Sequence, residues 1–142
     1  MFAIRILVIA FLTLSLSLAR AQQLIDQKAT KETKALYRNL RLLSAKHTLF
    51  GHQDDLAYGV NWKYIANRSD IKEVVNDYPA IYGWDLGKIE HGATKNLDGI
   101  PFTKMRQYIQ EGYQRGAVIT LSWHLDNPLT GGSTWDTTQR TV

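Results

Sequence analysis

Cysteine is absent from the 142 residues of the chain. Its absence excludes a disulfide framework, a thiolate metal site and lipid attachment to an N-terminal cysteine. Long apolar runs are also absent after Ala21, whereas a helix that spans a membrane needs about 20 apolar residues. A protein of the bacterial periplasm or the culture medium fits these absences best.

The first 21 residues have the pattern of a secretory signal peptide. Arg5 provides a positive start, the apolar run Ile6–Leu18 follows, and Ala19 and Ala21 are small residues at the cleavage positions. A membrane anchor is the disfavoured alternative, because the run has only 13 residues. We therefore predict a signal peptide over residues 1–21 and a secreted or periplasmic domain over residues 22–142.

The chain has only a small excess of positive over negative charge. The formal net charge is +4, and removal of residues 1–21 takes away two of the 17 basic residues and none of the 13 acidic ones, which leaves +2. The basic side chains are scattered and acidic residues interrupt the densest group. We therefore expect no nucleic-acid partner, and no membrane association once the signal peptide is cleaved.

Strand and helix signals alternate along residues 22–142. A leading amphipathic helix is predicted over Thr30–Ser44, where Leu36, Leu40 and Leu43 recur at helical spacing. Three strands and two helices are predicted after it: a strand over Thr48–Gly51, a helix that Asp70 caps and Pro79 ends, a strand over Ala80–Trp84, a helix between Pro101 and Gly116, and a strand over Ala117–Ser122.

This alternation, with strand starts roughly 30 to 40 residues apart, is typical of βαβ crossovers in a parallel sheet. The predicted fold class is therefore α/β. Periodicity alone leaves two architectures open, a doubly wound sheet and a closed (β/α)8 barrel. The chain has no Gly-x-Gly-x-x-Gly fingerprint and no phosphate loop, which weakens a nucleotide-binding interpretation.

Polar residues follow each predicted strand, in the segments His52–Asp55, Trp84-Asp85 and Trp123–Asn127. In α/β barrels the carboxyl ends of the strands carry the functional site. Aromatic rings beside histidine, aspartate and asparagine also suit a sugar, which stacks on flat faces and needs many hydrogen bonds. Asp54 and Asp55 are adjacent, so their side chains point in different directions, and we predict them to be solvated loop carboxylates.

Three segments carry a family resemblance: Leu49–Gln53, Pro79–Asp85 and, as the most specific, Gly116–His124 followed by Asn127-Pro128. They resemble the N-terminal third to half of family 26 glycoside hydrolases, whose best-known members are endo-β-1,4-mannanases. The resemblance implies that the chain is the N-terminal portion, about three β/α units, of a (β/α)8 TIM barrel. It further implies retaining hydrolysis of β-mannan by two glutamates, one after the fourth strand and one after the seventh. We therefore expect a truncated and, by itself, inactive barrel segment without catalytic residues.

The resemblance also implies four substrate-binding residues. His124 would line the sugar subsite at the cleavage point, with a buried histidine bonded to a backbone carbonyl as the alternative. Trp135 would be a platform for a mannose ring, or would simply pack in its loop. Asp85 and Asn127 would face the cleft, although Asp85 could form a salt bridge inside the barrel mouth and Asn127 could only initiate a turn. His52 is expected to support neighbouring strands.

No cofactor and no required metal are predicted. The histidines lie on different predicted elements and show no ligand spacing such as His-Glu-x-x-His. Two other functions stay open: a barrel glycosidase for another β-glycan, such as β-1,3-xylan or mixed-linkage glucan, and a non-catalytic secreted sugar-binding protein or enzyme remnant. The last is disfavoured because three parallel strands alone leave edges unpaired.

Overall fold

The computed structural model describes residues 24–138, so the predicted signal peptide lies outside the described residues. The chain divides into two compact units, Met1–Thr48 and Leu49–Val142. Within residues 24–138, no helix combines the length and the apolar character that crossing a membrane requires.

The first unit contains helix α1, Lys31–Ser44. The Thr30 side chain caps its start by accepting a hydrogen bond from the backbone N–H of Thr33. A threonine oxygen at this position satisfies one of the amides that the first helical turn leaves free. The leading helix predicted from leucine spacing is therefore confirmed.

Over residues 49–138, the second unit holds a parallel sheet, a small hairpin and two α-helices. Its elements in chain order are β1 (Gly51–Gln53), β2 (Tyr58–Gly59), β3 (Trp62–Lys63), α2 (Asp70–Val75), β4 (Ile81–Asp85), a 3₁₀ helix (Ile89–His91), α3 (Phe102–Gln114) and β5 (Val118–Ser122). The strands β1, β4 and β5 lie in that order and pair in parallel, while β2 and β3 pair antiparallel. The predicted α/β class with a parallel sheet is confirmed.

The first strand is predicted in the wrong place. Thr48–Gly51 is apolar, but the ladder begins only where Gly51 lies opposite Ile81, and β1 continues to Gln53. The Phe50 carbonyl accepts hydrogen bonds from the backbone amides of both Ala80 and Ile81, and the Phe50 ring is 58% exposed. The apolar character of the segment therefore predicted a strand here, but the bounds of β1 are set by its pairing with β4, which begins at Ile81.

The core lies between β4 and α3. Tyr82 and Trp84, on one face of β4, are fully buried, and the Trp84 ring stacks on Tyr108 of α3 with centroids 5.8 Å apart. Gly112 permits this close packing, since a Cβ atom there would lie 2.9 Å from Cδ2 of Tyr82. The opposite face of β4, which includes Asp85, is thereby turned away from the helix.

The hairpin of β2 and β3 is not predicted from the sequence. Asp70, at the start of α2, anchors it by accepting hydrogen bonds from the backbone N–H of Val60 (2.7 Å) and from the Trp62 indole (2.5 Å). The hydrogen bond from Trp62 is the main reason that the pKa of Asp70 is lowered. Asp70 is not the helix cap; Ser69 is, because its side chain accepts from the Lys72 amide.

Replacing Asp70 by alanine is expected to lower the free energy of unfolding by about 1–3 kcal/mol, because the buried Trp62 indole N–H then loses its acceptor. Urea unfolding followed by tryptophan fluorescence measures the change. Asp77→Ala is the matched control, since Asp77 is exposed and, among residues 24–138, accepts only from the adjacent Tyr78 amide. Equal losses in the two variants would contradict the anchoring role.

Candidate substrate-binding site

Two of the four predicted site residues meet at the carboxyl edge of the sheet. Asp85 is the last residue of β4 and lies opposite Ser122, the last residue of β5, so that His124 follows two residues later. The Asp85 carboxylate Oδ2 is 2.6 Å from Ser122 Oγ and 2.5 Å from His124 Nδ1. The parallel pairing therefore brings together side chains that are 39 positions apart in sequence.

Asp85 is saturated with hydrogen bonds. Its Oδ1 accepts from the backbone amides of Gly87 at 2.7 Å and His124 at 3.4 Å, and the residue is only 2% exposed. Burial opposes ionisation, but the bonds from Ser122, Gly87 and His124 hold the pKa of Asp85 below its usual value. Asp85 is thus a buried carboxylate whose direct side-chain partners are Ser122 and His124 at the end of the neighbouring strand.

His124 presents its other ring edge outward. Its side chain is 51% exposed, and Nε2 makes no hydrogen bond to residues 24–138. The ring is therefore held from one side and open on the other. Such a side chain can exchange a hydrogen bond with a hydroxyl group of a ligand.

Asn127 and Trp135 belong to one loop after β5. The Asn127 side chain accepts from the Leu129 amide (2.9 Å) and donates to the Asp136 carbonyl (3.3 Å). The first bond is the turn that the sequence offered as an alternative role, and the second holds the far end of the loop. Trp135, next to Asp136, is 82% exposed, so its ring is accessible in the described part of the chain.

A second polar network, which the sequence does not reveal, joins the loops after β4 and β5. The Glu90 carboxylate accepts from the Trp123 indole and from the Asp126 amide, both at 3.1 Å. Asp126 Oδ2 lies 2.7 Å from the Lys88 ammonium and 2.9 Å from His91 Nε2. These bonds fix the loop that carries His124.

The same network contains a set of metal-type ligands. One atom each of Glu90, His91 and Asp126 lies within 4.8 Å of the others. The Lys88 ammonium is bonded to the Asp126 oxygen of this set, and that bond is the main reason that the pKa of Asp126 is lowered. In the described structure, the Asp126 carboxylate of this set is thus paired with a lysine ammonium.

The prediction that Asp54 and Asp55 are solvated is wrong. They are 1% and 0% exposed, respectively. Asp54 accepts from the Tyr58 hydroxyl at 3.1 Å, and Asp55 bonds Ser69 Oγ and His52 Nδ1, each at 3.0 Å. The distant partner Ser69 compensates part of the burial of Asp55, and no local sequence signal indicates it. The partner of His52 is thus Asp55, three residues later in the same segment, and its support of neighbouring strands stays a prediction.

Asp54 is expected to lower stability at neutral pH. Burial, and secondarily the nearby Asp98, raises the pKa of Asp54 from 3.8 to about 6. Between these values the folded protein holds a proton that the unfolded chain has released, so stability falls as pH rises from about 4 to 6 and stays reduced above that range.

The variant Asp54→Asn is therefore expected to be more stable than the parent by about 1–3 kcal/mol at pH 7, with little difference at pH 4. Asparagine also tolerates the left-handed backbone at this position, where φ is +55°. Urea unfolding at both pH values measures the difference, with Asp77→Asn as an exposed control. A gain that does not depend on pH would contradict this account.

Comparison with known proteins decides the family. Residues 25–141 match the model of glycosyl hydrolase family 26. The chain belongs to this family. It is 36% identical over 117 residues to a mannan endo-1,4-beta-mannosidase from Bifidobacterium adolescentis, and the match covers 80% of the chain but 12% of that relative.

Solved family 26 structures superpose on the chain. A GH26 β-mannanase from Bacteroides ovatus is 51% identical with a TM-score of 0.75, over 78% of this chain and 32% of that one. The catalytic domain of a Bacillus sp. JAMB-750 GH26 endo-β-1,4-mannanase is 30% identical with a TM-score of 0.67, over 82% of this chain and 32% of that one. This family 26 chain therefore spans about a third of the solved relatives and much less of the curated one.

Proposed function

We propose that the complete protein that contains this chain is a secreted or periplasmic endo-β-1,4-mannanase acting on mannan or galactomannan. In this proposal, residues 22–142 form about three β/α units of a (β/α)8 barrel and contribute part of its substrate cleft. The observation that carries the proposal is the His124 ring, held by Asp85 at the carboxyl edge of the sheet with its outer edge open, in a chain of family 26. Mannan-degrading relatives support the choice of polymer.

Substrate binding in this segment is proposed for His124, Trp135, Asn127 and, through His124, Asp85. The exposed Trp135 indole offers a flat face on which a sugar ring can stack. Asn127 acts mainly on the loop, since its amide bonds set the turn that presents Trp135. The histidine and tryptophan are thus the groups proposed to touch the polymer.

The catalytic carboxylates are proposed to lie outside this chain. Retaining glycosidases need two carboxyl groups about 5–5.5 Å apart, one of them with a raised pKa. Glu90 and Asp126 are neighbours, but Lys88 and His91 lower the pKa of Asp126, and hydrogen bonds from Asp126 N–H and Trp123 lower the pKa of Glu90 despite its burial. A pair in which both groups are stabilised as anions has no acid to protonate the leaving oxygen.

Hydrolysis by the complete protein of mannan, galactomannan, β-1,3-xylan and mixed-linkage glucan tests the proposal. Release of reducing ends from the two mannans, with the β-anomer as the first product seen by proton NMR, is expected. Preferential cleavage of another polymer would replace the substrate. Binding of mannan without cleavage would favour the alternative of a sugar-binding protein or an enzyme remnant.

Export is a separate part of the proposal and rests on the apolar run Ile6–Leu18 followed by Ala19 and Ala21. The mature protein is expected to begin at Gln22. Mass spectrometry of the N-terminal peptide from the periplasm and the medium of the expressing cells measures the cleavage position. An uncleaved N-terminus retained in the cytoplasm would refute export.

A further inference from the structure

The hydrogen bonds around Asp85 determine where the proton of the His124 ring resides. We propose that Asp85 is a positioning residue that fixes His124 as the Nδ1–H tautomer, which leaves Nε2 as a hydrogen-bond acceptor for a substrate hydroxyl. The part concerning the hydroxyl rests on the proposed function, whereas the part concerning the tautomer depends only on the geometry of this chain.

The Asp85 carboxylate determines which ring nitrogen of His124 carries the proton. An ionised carboxylate only accepts hydrogen bonds, so each of its partners must supply a proton. Ser122 Oγ and the amides of Gly87 and His124 are donors, and the contact of 2.5 Å between Oδ2 and His124 Nδ1 therefore requires a proton on Nδ1. In the neutral ring Nε2 is then unprotonated and accepts.

The geometry leaves the ring no alternative orientation that keeps these bonds. Asp85 holds the backbone N–H of His124 as well as its ring, so the main chain and the side chain are fixed by one carboxylate. Gly87 brings the following loop close, since a Cβ atom there would lie 3.0 Å from Asp85 Oδ1 and 3.1 Å from the His124 carbonyl. A rotated ring would bring a carbon atom against the carboxylate and forfeit the strongest contact.

The substitution Asp85→Asn should reverse the tautomer without moving the ring. The oxygen of the new side-chain amide must stay opposite the Gly87 backbone amide, since an NH₂ group there would oppose another donor. The NH₂ group then faces Ser122, whose hydroxyl can rotate to accept, and His124 Nδ1, which must also accept. The proton moves to Nε2, which becomes a donor.

Long-range proton–nitrogen correlation spectra of the ¹⁵N-labelled chain test this inference, recorded at a pH at which the His124 ring is neutral. The parent is expected to show a protonated Nδ1 and an unprotonated Nε2, and Asp85→Asn the reverse. Asp98→Asn is the charge-matched control. The Asp98 carboxyl is close enough to Asp85 and His124 for both to influence its pKa, but its side-chain hydrogen-bond partner is Asn96 and not His124, so the tautomer of the parent is expected to persist.

Ser122→Ala keeps the inference testable if Asp85→Asn does not fold. It removes one donor from Oδ2 but leaves the carboxylate, so the Nδ1–H tautomer is expected to persist. A protonated Nε2 in the parent, or the same tautomer in the parent and a folded Asp85→Asn, would overturn the inference. A merely structural role for Asp85 would change stability but not the protonated nitrogen.

Titration of the complete protein with mannotriose separates the inference from the proposed function. The Nε2 resonance of the parent is expected to shift on binding, because the unprotonated nitrogen accepts a hydrogen bond from a sugar hydroxyl. No binding of mannotriose by a complete parent protein with the expected tautomer would count against the proposed function alone. Binding that leaves the Nε2 resonance of the parent unshifted would overturn the role of Nε2 as the acceptor.

Discussion

Replacing Trp84 by alanine is expected to lower the free energy of unfolding by about 3–5 kcal/mol. Trp84 is fully buried, its ring stacks on Tyr108, and Ile100 and Met105 belong to the same cluster, so truncation leaves a cavity as well as removing apolar contact area. Urea unfolding followed by circular dichroism measures the loss. If the parent itself is less stable than this, the variant should be unfolded without denaturant.

Trp135→Ala is the matched control for this prediction. It removes the same side chain from a loop position that is 82% exposed, and its effect on the free energy of unfolding should stay within about 0.5 kcal/mol. A loss of similar size in both variants would mean that burial against α3 does not account for the contribution of Trp84.

Replacing His124 by alanine is expected to lower kcat/KM on mannan about 100-fold in the complete protein. The estimate is the usual effect of removing one positioned hydrogen-bonding group from a polar active site. His124 is suited to this role because Asp85 fixes one edge of the ring while the other is open. Initial rates on mannohexaose over a range of concentrations measure the change.

His47→Ala provides the control, since His47 is an exposed histidine of the first unit and its removal should leave the rate unchanged. Unfolding of His124→Ala should be measured in parallel to separate activity from folding. Full activity of a folded His124→Ala would contradict the placement of His124 at the cleavage point.

Helix α3 and strand β4 could be predicted because residues next to them in the sequence determine where they begin and end. Helix α3 begins directly after Pro101, as expected of a residue with a fixed φ and no N–H to satisfy, and ends before Gly116, whose φ is +82°. The strand predicted over Ala80–Trp84 is displaced by one residue from β4. The residues that start and end these segments lie within or beside them in the sequence, so the segments can be predicted without knowledge of distant contacts.

The features that sequence reasoning missed depend on distant partners. Ser69, 14 residues later, donates to Asp55 and compensates part of its burial. The hairpin is held by Asp70, which is 8 residues beyond Trp62. One local signal for the hairpin existed: Asn61, in the two-residue loop between β2 and β3, adopts the left-handed conformation that asparagine favours. The pairing of Glu90 with Trp123 had no such signal.

Of the candidate site, the part that follows from the parallel sheet could be predicted. Carboxyl ends of parallel strands lie at one edge of a sheet, so Asp85 and His124 were expected to lie near each other. Their direct contact depends on the register of β4 and β5, which the sequence does not specify. The roles of Asn127 and Trp135 depend on a loop whose hydrogen bonds are equally non-periodic.

The alignment of Asp85 with Ser122 has a consequence for how this region tolerates insertions and deletions. A shift of β5 by one residue would point Ser122 to the opposite face of the sheet, and a shift by two would carry His124 about 7 Å along the strand, beyond reach of the carboxylate. Length changes between β4 and β5 are therefore harmless only if α3 and its connections absorb them. The state of the histidine would report, in a single spectrum, whether these two strands have assembled in the correct alignment.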